Sequence, residues 1–283
     1  MYLKFLKNDL RRKRIMNTIL LIFVCLSSMF IASGINNIHT IMSATDKFIA
    51  KSEFPDSYII YFDKTNSNQQ KNKFQNFLNT DKDIKSVKQG EAVGVPSNDN
   101  IYLNDKKLTG DFSADFIFGS VESTMLNLFQ EDGSLLEKVN DGEIFLSPSF
   151  ANIIGAKIGD KLEIRTENYQ KTFTVVGKNR DIVFGVPTVT IQRAIISEND
   201  YSDLANSETV AKYKFVGINT DNLDRLNGKI SELDFSILVN YGKAIINTVY
   251  YLELVIAGVF LVVSLVLVII SFVILRFTIS FTI

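Results

Sequence analysis

Two long apolar runs without a charged residue constrain this chain more than any other feature of its sequence. They cover residues 15–35 and 254–275. A helix that rises about 1.5 Å per residue needs about 20 residues to cross about 30 Å of hydrocarbon, so each run is long enough to span a membrane. A buried helix of a soluble protein is usually shorter and keeps a polar face, which the second run lacks. The sequence therefore predicts an integral membrane protein with two spans.

The first run has one serious alternative, a cleaved signal peptide, because a basic start followed by an apolar stretch is common to both. The apolar region of a signal peptide is usually roughly 7 to 15 residues long, and this run is longer. Residues 30–34 (FIASG) match a small-residue cleavage site only weakly. We therefore expect the first run to stay in the chain as a transmembrane helix.

Basic residues beside the two runs predict the orientation, since Lys and Arg next to a span resist translocation. The residues that determine the topology are Arg11, Arg12, Lys13, Arg14 and Arg276. Both termini are therefore expected in the cytoplasm, as a basic amphipathic segment at residues 1–14, able to lie on membrane lipid, and a short tail at residues 276–283. The part between the spans is expected outside the cytoplasm.

The only cysteine, Cys25, falls inside the first run. The exported part can therefore form no internal disulfide and must fold by burial alone. This usage suits a bacterial membrane protein better than a small secreted module held together by disulfides.

The exported part begins and ends with a β-α-β pattern. Residues 36–56 have apolar residues at helical spacing and are expected to continue the first span as a stalk helix. Residues 57–100 follow with a predicted strand over 57–63, a helix over 68–79 and a strand over 84–95.

A second β-α-β unit is predicted at residues 208–245, just before the second span. Its elements are a strand over 212–218, a helix over 222–233 capped by Thr220 or Asp221, and a strand over 235–239. The two units can pair into one split, ferredoxin-like sheet. Residues 101–207 are then a mainly-β lobe inserted between them, and the predicted fold class is α+β.

The inserted part contains a run of residues with clear structural roles. Ser147 is placed to cap a short helix whose first residue is Pro148, where a missing N–H has no cost. Gly155 can end that helix in the left-handed conformation. Gly159 and Asp160 then form a turn into the next strand. None of these features requires a ligand.

The sequence contains no catalytic pattern. One histidine, His39, excludes motifs that need two, and the only cysteine lies in a span, so no Cys/His dyad or zinc cluster can form outside. No G-x-x-x-x-G-K-[ST] occurs, which excludes a P-loop. We expect no enzymatic activity, no cofactor, no metal and no nucleic-acid partner. Three phenylalanines are the nearest candidates for an exposed contact site, although burial is the more usual fate of such residues: Phe112, Phe116 and Phe118.

The order of these features resembles the FtsX-like (MacB-type) ABC transporter permeases. A basic start leads into a span, a large exported part contains LSPSFANIIGAKIGDKLEI and then KTFTVVGKNRDIVFG, and a long apolar span follows. The resemblance covers nearly the whole chain. Its most specific part is residues 146–185, where Gly155, Gly159, Asp160 and Gly177 match the family's glycine–aspartate turn and strand end.

The resemblance implies a permease subunit that works with a separate cytoplasmic ATPase. In that family, closure of the ATPase is passed through the spans to the exported domain, for peptide or lipoprotein export or for mechanotransmission. A homodimer, or pairing with a second permease half, is also implied. The absence of a P-loop agrees with this division of labour.

One departure from the family concerns the end of the chain. Family members continue after this span with a coupling helix and at least two further spans, so we expect either a fragment of a longer permease or a shortened relative that needs a second polypeptide. Two other classes share the layout of an exported domain between two spans. They are a sensor receptor that lacks its signalling module and a membrane-anchored binding protein.

Overall fold

The protein is described here by a computed structural model. It describes residues 14–95, 100–108, 115–185, 191–207 and 210–280. The helices are α1 (Arg14–Lys51), α2 (Asn68–Thr80), α3 (Pro148–Ile154), α4 (Glu198–Ala205), α5 (Leu223–Glu232) and α6 (Lys243–Ser280). The strands are β1 (Ser57–Phe62), β2 (Ile84–Gly94), β3 (Ile101–Leu103), β4 (Lys106–Lys107), β5 (Asp115–Gly119), β6 (Phe129–Gln130), β7 (Glu143–Leu146), β8 (Lys161–Arg165), β9 (Gln170–Arg180), β10 (Ile191–Ile196), β11 (Ala211–Thr220) and β12 (Val239–Gly242).

Two compact units divide the chain. One holds the chain up to Lys47 and from Ile246 onward, and the other, here called the sheet unit, is Phe48–Ile245. In the first unit, α1 runs without a break from the first apolar run into the predicted stalk. A Cβ added to Gly34 would lie 3.2 Å from Cγ of Leu261, so the two helices of this unit pack closely there. Within the described ranges, no helix satisfies both the length and the apolarity that a membrane crossing demands, and the two spans stay a prediction.

The two β-α-β units interleave in the sheet unit. The strand order is β12-β1-β11-β2, and each neighbouring pair in this row is antiparallel. This is the order expected when β1-α2-β2 and β11-α5-β12 form one split sheet. A shared apolar core holds the helices against it, with buried side chains Ile59, Phe74, Leu78, Val216, Ile218, Leu226 and Ile230. The predicted pairing of the two units is confirmed.

Local signals in the sequence explain where α2 begins. Ser67 is the N-cap and accepts a hydrogen bond from the N–H of Gln70, whose side chain accepts the N–H of Ser67 in return. This capping box satisfies two N–H groups that would otherwise have no partner. Phe74 and Leu78 then occupy the buried face of the helix.

The start of α5 differs from the prediction. Asn222 is the N-cap and accepts the N–H of Arg225, whereas Thr220 and Asp221 were the predicted caps. Thr220 is the last residue of β11, and its hydroxyl oxygen accepts the N–H of Asn222. The prediction was wrong because the strand extends two residues past the apolar run that marked it, which moves the helix start along the chain.

The closing strand also differs from the prediction. Residues 235–239 were expected to form it, but β12 starts only at Val239. Phe235 instead stacks on Phe74, with ring centroids 4.3 Å apart. The side chain of Asn66 bonds both the N–H and the carbonyl of Ser236, so these groups are not available to a strand ladder.

The strands between the two units extend the same sheet. β2 pairs with β5, and the row continues as β5-β10-β7-β9-β8-β3-β4, with β6 paired to β9. The core on this side contains Phe116 and Phe150, whose rings stack with centroids 4.0 Å apart, and Phe118. Phe116 and Phe118 are therefore buried, as expected, and Phe112 lies outside the described residues.

An ion-pair network joins the end of α2 to α5. The Nζ atom of Lys229 lies 2.6 Å from Oδ2 of Asp81 and 2.7 Å from Oδ2 of Asp83. The hydrogen bond from Lys229 lowers the pKa of Asp81. The stability from this carboxylate is therefore fully present above its unfolded-state pKa and is lost as the pH falls through its lower folded-state pKa.

We therefore expect Asp81→Asn to lower the melting temperature at neutral pH and to make progressively less difference as the medium is acidified through the carboxylate range. Thermal melts of both chains from pH 7 downward measure this. A difference between the two chains that stays constant across the range would contradict the assignment.

Candidate functional site

No described residues form a cluster of three or more His, Cys, Asp or Glu side chains suited to a metal ion. The features that distinguish the sheet unit are structural. One is the place where both long helices connect to the sheet, and it is built from residues far apart in sequence. The other is a buried charged pair, Arg193 and Asp181.

Both helices join the sheet at one end of one strand pair. β1 and β12 are antiparallel neighbours, and Ser57 lies opposite Gly242. α1 ends shortly before Ser57, and α6 begins at Lys243, directly after Gly242. The chain therefore enters β1 and leaves β12 at the same end of this strand pair.

Residues 120–129, here called the bridging segment, hold the end of α1. The backbone N–H of Asn127 donates to the carbonyl of Ser52 over 3.2 Å, and its side-chain Nδ2 donates to the carbonyl of Lys51 over 3.0 Å. The rings of Phe48 and Phe129 meet with centroids 5.9 Å apart. Carbonyls at the end of a helix have no partner within it, so these bonds satisfy groups that would otherwise depend on water.

Two glycines let the bridging segment and the chain after α1 approach the sheet closely. A Cβ at Gly90 would lie 2.7 Å from the carbonyl oxygen of Ser123, which accepts the N–H of Glu91. A Cβ at Gly217 would lie 2.9 Å from Cγ of Pro55 and 3.0 Å from Sδ of Met125. The end of α1, residues 48–54, and the bridging segment are together called the junction below.

We expect Gly217→Ala to destabilise the sheet unit by about 1–3 kcal/mol, because overfilling a well-packed contact forces the neighbouring atoms apart. Gly228→Ala is the matched control, since nothing lies within 4 Å of the added methyl group and the position is inside α5. Alanine favours a helix over glycine, so the control should be unchanged or slightly stabilised. Urea titrations followed by circular dichroism compare the unfolding midpoints of the two variants with that of the unmodified chain. Equal midpoints for Gly217→Ala and the unmodified chain would show that the contact is loose.

A row of buried aromatic rings runs inward from the junction. Phe54 stacks on Tyr58 of β1 at 5.7 Å, and Tyr58 in turn stacks on Phe215 of β11 at 5.8 Å. Tyr58 also meets the edge of Phe184 at 6.4 Å. All four side chains are buried. Ring contacts therefore connect Phe54 to the centre of the unit, so a displacement of the chain at Phe54 is passed to the rings packed against it.

An ion pair lies at the inner end of this row. Nε of Arg193 on β10 donates to Oδ2 of Asp181 over 2.8 Å, and both side chains have 0% exposure. The other oxygen, Oδ1, accepts the backbone N–H groups of Val183 and Phe184, so the carboxylate also fixes the turn after β9. The guanidinium lies over the rings of Phe184, at 4.8 Å, and Phe215, at 5.7 Å. The pair thus fastens β10, the turn and the aromatic row together.

Burial governs the electrostatics around the pair. It raises the pKa of Tyr58 above its ordinary value, and the nearby charge of Arg193 opposes this rise only in part. A side-chain hydrogen bond with Arg193 also favours the ionised form of Tyr58, but less than burial opposes it. Tyr58 therefore stays neutral throughout the physiological range.

The residues predicted from the sequence belong neither to the junction nor to the pair of Arg193 and Asp181. Oγ of Ser147 accepts the N–H of Phe150 over 3.1 Å, and Pro148 is the first residue of α3. Gly155 ends the helix with φ +71. Ser147 also donates to Oε1 of Gln192 over 3.0 Å, which ties α3 to β10.

The glycine–aspartate turn contacts β9. Gly159 has φ +94, and its N–H donates to the carbonyl of Val175 over 2.8 Å. Asp160 accepts the N–H of Lys157 through its side chain and the N–H of Val175 through its carbonyl. Gly177 allows a close approach, because a Cβ there would lie 2.7 Å from Cε1 of Phe145. These residues shape the turn and the strand.

The topology residues add little to this geometry. Arg14 is the first residue of α1 and Arg276 lies within α6, while Arg11, Arg12 and Lys13 lie outside the described residues.

Sequence reasoning missed Asp181 and Arg193. A signal was present, since Arg193 is the one charged residue of the strand IQRAII, in which every residue is buried. A charge inside such a strand requires a buried partner.

Comparison with known proteins gave matches among solved structures alone. No family model matches the chain. No curated protein matches it. It is similar to the periplasmic region of MacB from Actinobacillus actinomycetemcomitans, with 16% identity, a TM-score of 0.35 and coverage of 71% of this chain and 94% of that chain.

Two further solved structures are similar. One is a protein from Bacillus anthracis assigned as a lipoprotein, with 12% identity, a TM-score of 0.36 and coverage of 66% of this chain and 96% of that chain. The other is a domain from Porphyromonas gingivalis of a protein assigned as a permease, with 13% identity, a TM-score of 0.32 and coverage of 56% and 76%.

Proposed function

We propose that this chain is a permease subunit of an ABC transporter of the FtsX/MacB type. Its two apolar helices span the cell membrane with both termini in the cytoplasm, and they hold the sheet unit outside. The chain itself has no catalytic activity. A separate cytoplasmic ATPase supplies the energy, and movement of the sheet unit serves export of a peptide or lipoprotein, or transmits force to a target outside the membrane.

The observation that carries this proposal is the common attachment of both helices to β1 and β12. If the two helices were attached at distant points of the domain, the domain would resist a movement of one helix relative to the other. Here the register of Ser57 opposite Gly242 places both tethers at one end of one strand pair. The bonds from Asn127 to the end of α1 make that attachment firm. This geometry suits a unit that is moved as a body by its helices.

Purification of the full chain with its partners tests the proposal. The chain carries an affinity tag and is expressed in its own cells, solubilised in mild detergent and recovered, and the bound proteins are identified by mass spectrometry. The result expected is an ATPase with a P-loop in stoichiometric amount, together with a second copy of the chain or another permease half. An unrelated tagged membrane protein with two spans serves as control.

Two outcomes would contradict the proposal. Recovery of a signalling kinase or methyl-accepting partner in place of an ATPase would favour a sensor receptor. Recovery of the chain alone, with the ATPase absent even after chemical cross-linking in cells, would favour a membrane-anchored binding protein.

A further inference from the structure

We propose that the outer edge of β2 is the surface on which two copies of this chain pair, strand against strand. The inference rests on the proposed function only in expecting two copies in one assembly, and it adds where they meet. The seven residues that carry it, 84–90, are called the β2 edge below.

The β2 edge has a neighbouring strand on one side only. β2 runs from Ile84 to Gly94, and β11 pairs with it along most of its length. On the other side β5 pairs with Val93 and Gly94 alone, so no described strand lies beside residues 84–90. The row β12-β1-β11-β2 therefore ends at an open edge. Four of the seven residues are exposed: Lys85, Ser86, Lys88 and Gln89.

Backbone groups of the β2 edge point outward. The N–H of Glu91 donates to the carbonyl of Ser123 over 2.8 Å, so it faces away from β11. In an antiparallel pair, successive residues alternate between facing the neighbouring strand and facing away from it. The register with β11 is regular from Glu91 back to Ser86, so Gln89 and Val87 also face outward. Their N–H and carbonyl groups have no described partner and are the groups that an added strand binds.

The two lysines of the β2 edge do not guard it. Lysine commonly protects an open strand edge, because its charge repels a second strand. Here Lys85 forms an ion pair with Asp221, and Lys88 forms one with Glu53 of the junction. Each lysine charge is thus paired with a carboxylate of its own chain.

A second copy fits the β2 edge because the edge is self-complementary. A two-fold axis at Val87 sets the seven residues of one edge antiparallel to the same seven of the other, as a symmetric dimer requires. Val87 then faces its own counterpart, and each donates its N–H to the carbonyl of the other. Lys85 faces Gln89 of the second copy. Ser86 faces Lys88 of the second copy, so no lysine faces a lysine. An axis one residue further along would set Lys88 against Lys88, and like charges directly opposite each other are destabilising.

Val87→Pro tests the pairing, because proline removes the outward N–H and is tolerated at the edge of a sheet. Val87→Ala is the matched control, since it also shortens the side chain but keeps the N–H. The mass of the full chain in mild detergent is measured by light scattering after gel filtration, over a series of dilutions. Proline at this position in both copies removes two hydrogen bonds, so we expect the dissociation constant of the dimer to rise about thirtyfold. Val87→Ala should dimerise as the unmodified chain does.

Cross-linking in membranes is a second measurement that needs no proline. In a Cys25→Ser background, Val87→Cys sets two thiols opposite each other. The Cα atoms of such a pair lie about 5.5 Å apart, which a disulfide can bridge. Mild oxidation should link Val87→Cys chains into a dimer. It should leave Lys138→Cys, at an exposed residue elsewhere in the sheet unit, unlinked.

Two results would each overturn the inference. One is a Val87→Pro chain that dimerises as tightly as Val87→Ala. The other is a Val87→Cys chain that links to a different protein or to none, and this result alone decides if Val87→Pro fails to fold. Either result together with a co-purified ATPase would leave the proposed function standing, whereas a dimer that depends on Val87 without any ATPase would sink the proposed function and keep the inference.

Discussion

Asp181→Ala is expected to destabilise the sheet unit by about 3–5 kcal/mol, the usual cost of leaving a buried charge without its partner. Arg193 has 0% exposure and no other carboxylate among its described contacts. The change also removes the acceptor that fixes the N–H groups of Val183 and Phe184. Urea titration of the full chain followed by circular dichroism should show a large fall in the unfolding midpoint.

The double change Asp181→Leu with Arg193→Met separates the charge from the packing. Replacing both members of a buried pair with apolar side chains of similar size is often neutral or stabilising. We therefore expect the double variant to be far more stable than Asp181→Ala alone. A double variant no more stable than the single one would mean that the pair itself, not the unpaired charge, supplies the stability.

The second large effect is expected at Phe150. This side chain is fully buried, stacks on Phe116 at 4.0 Å and meets the edge of Phe118 at 6.4 Å. Phe150→Ala leaves a cavity that the surrounding core fills only in part, so we expect a loss of about 3–5 kcal/mol.

Ile153→Ala provides the comparison on the same helix. Ile153 is 37% exposed, and its truncation opens no closed cavity. A change within about 0.5 kcal/mol is expected for an exposed position. If the two variants unfold at the same urea concentration, α3 does not pack as described.

The sequence was most informative where a local pattern is strong. Phe74 and Leu78 lie on one face at helical spacing, and the capping box at Ser67 marks the start of that helix. The two β-α-β units were recognised from their patterns, and their pairing was a hypothesis with which the strand order agrees. The closing strand was misplaced because Phe235 belongs to an apolar run but lies before the strand, with its side chain packed on the core. Periodicity over so short a run cannot distinguish a strand residue from such a residue.

The junction could not be predicted in the same way. Asn127 and Lys51 are 76 positions apart, and one of the two bonds at the end of α1 uses backbone atoms that carry no sequence signal. The buried pair is different, since Arg193 stands out in an apolar strand. Its partner cannot be identified from the sequence, because Asp181 is one of many acidic residues and follows a strand with no distinguishing feature of its own.

Labelling of single cysteines in intact cells tests most directly whether the sheet unit lies outside the membrane on two spans. Cys25→Ser gives a chain without cysteine, and Lys138→Cys or Asn8→Cys then adds one, Lys138 being an exposed residue of the sheet unit. With a maleimide that cannot cross membranes, Lys138→Cys should be labelled before lysis and Asn8→Cys only after it. Labelling of Lys138→Cys only after lysis would place the sheet unit in the cytoplasm and contradict the account.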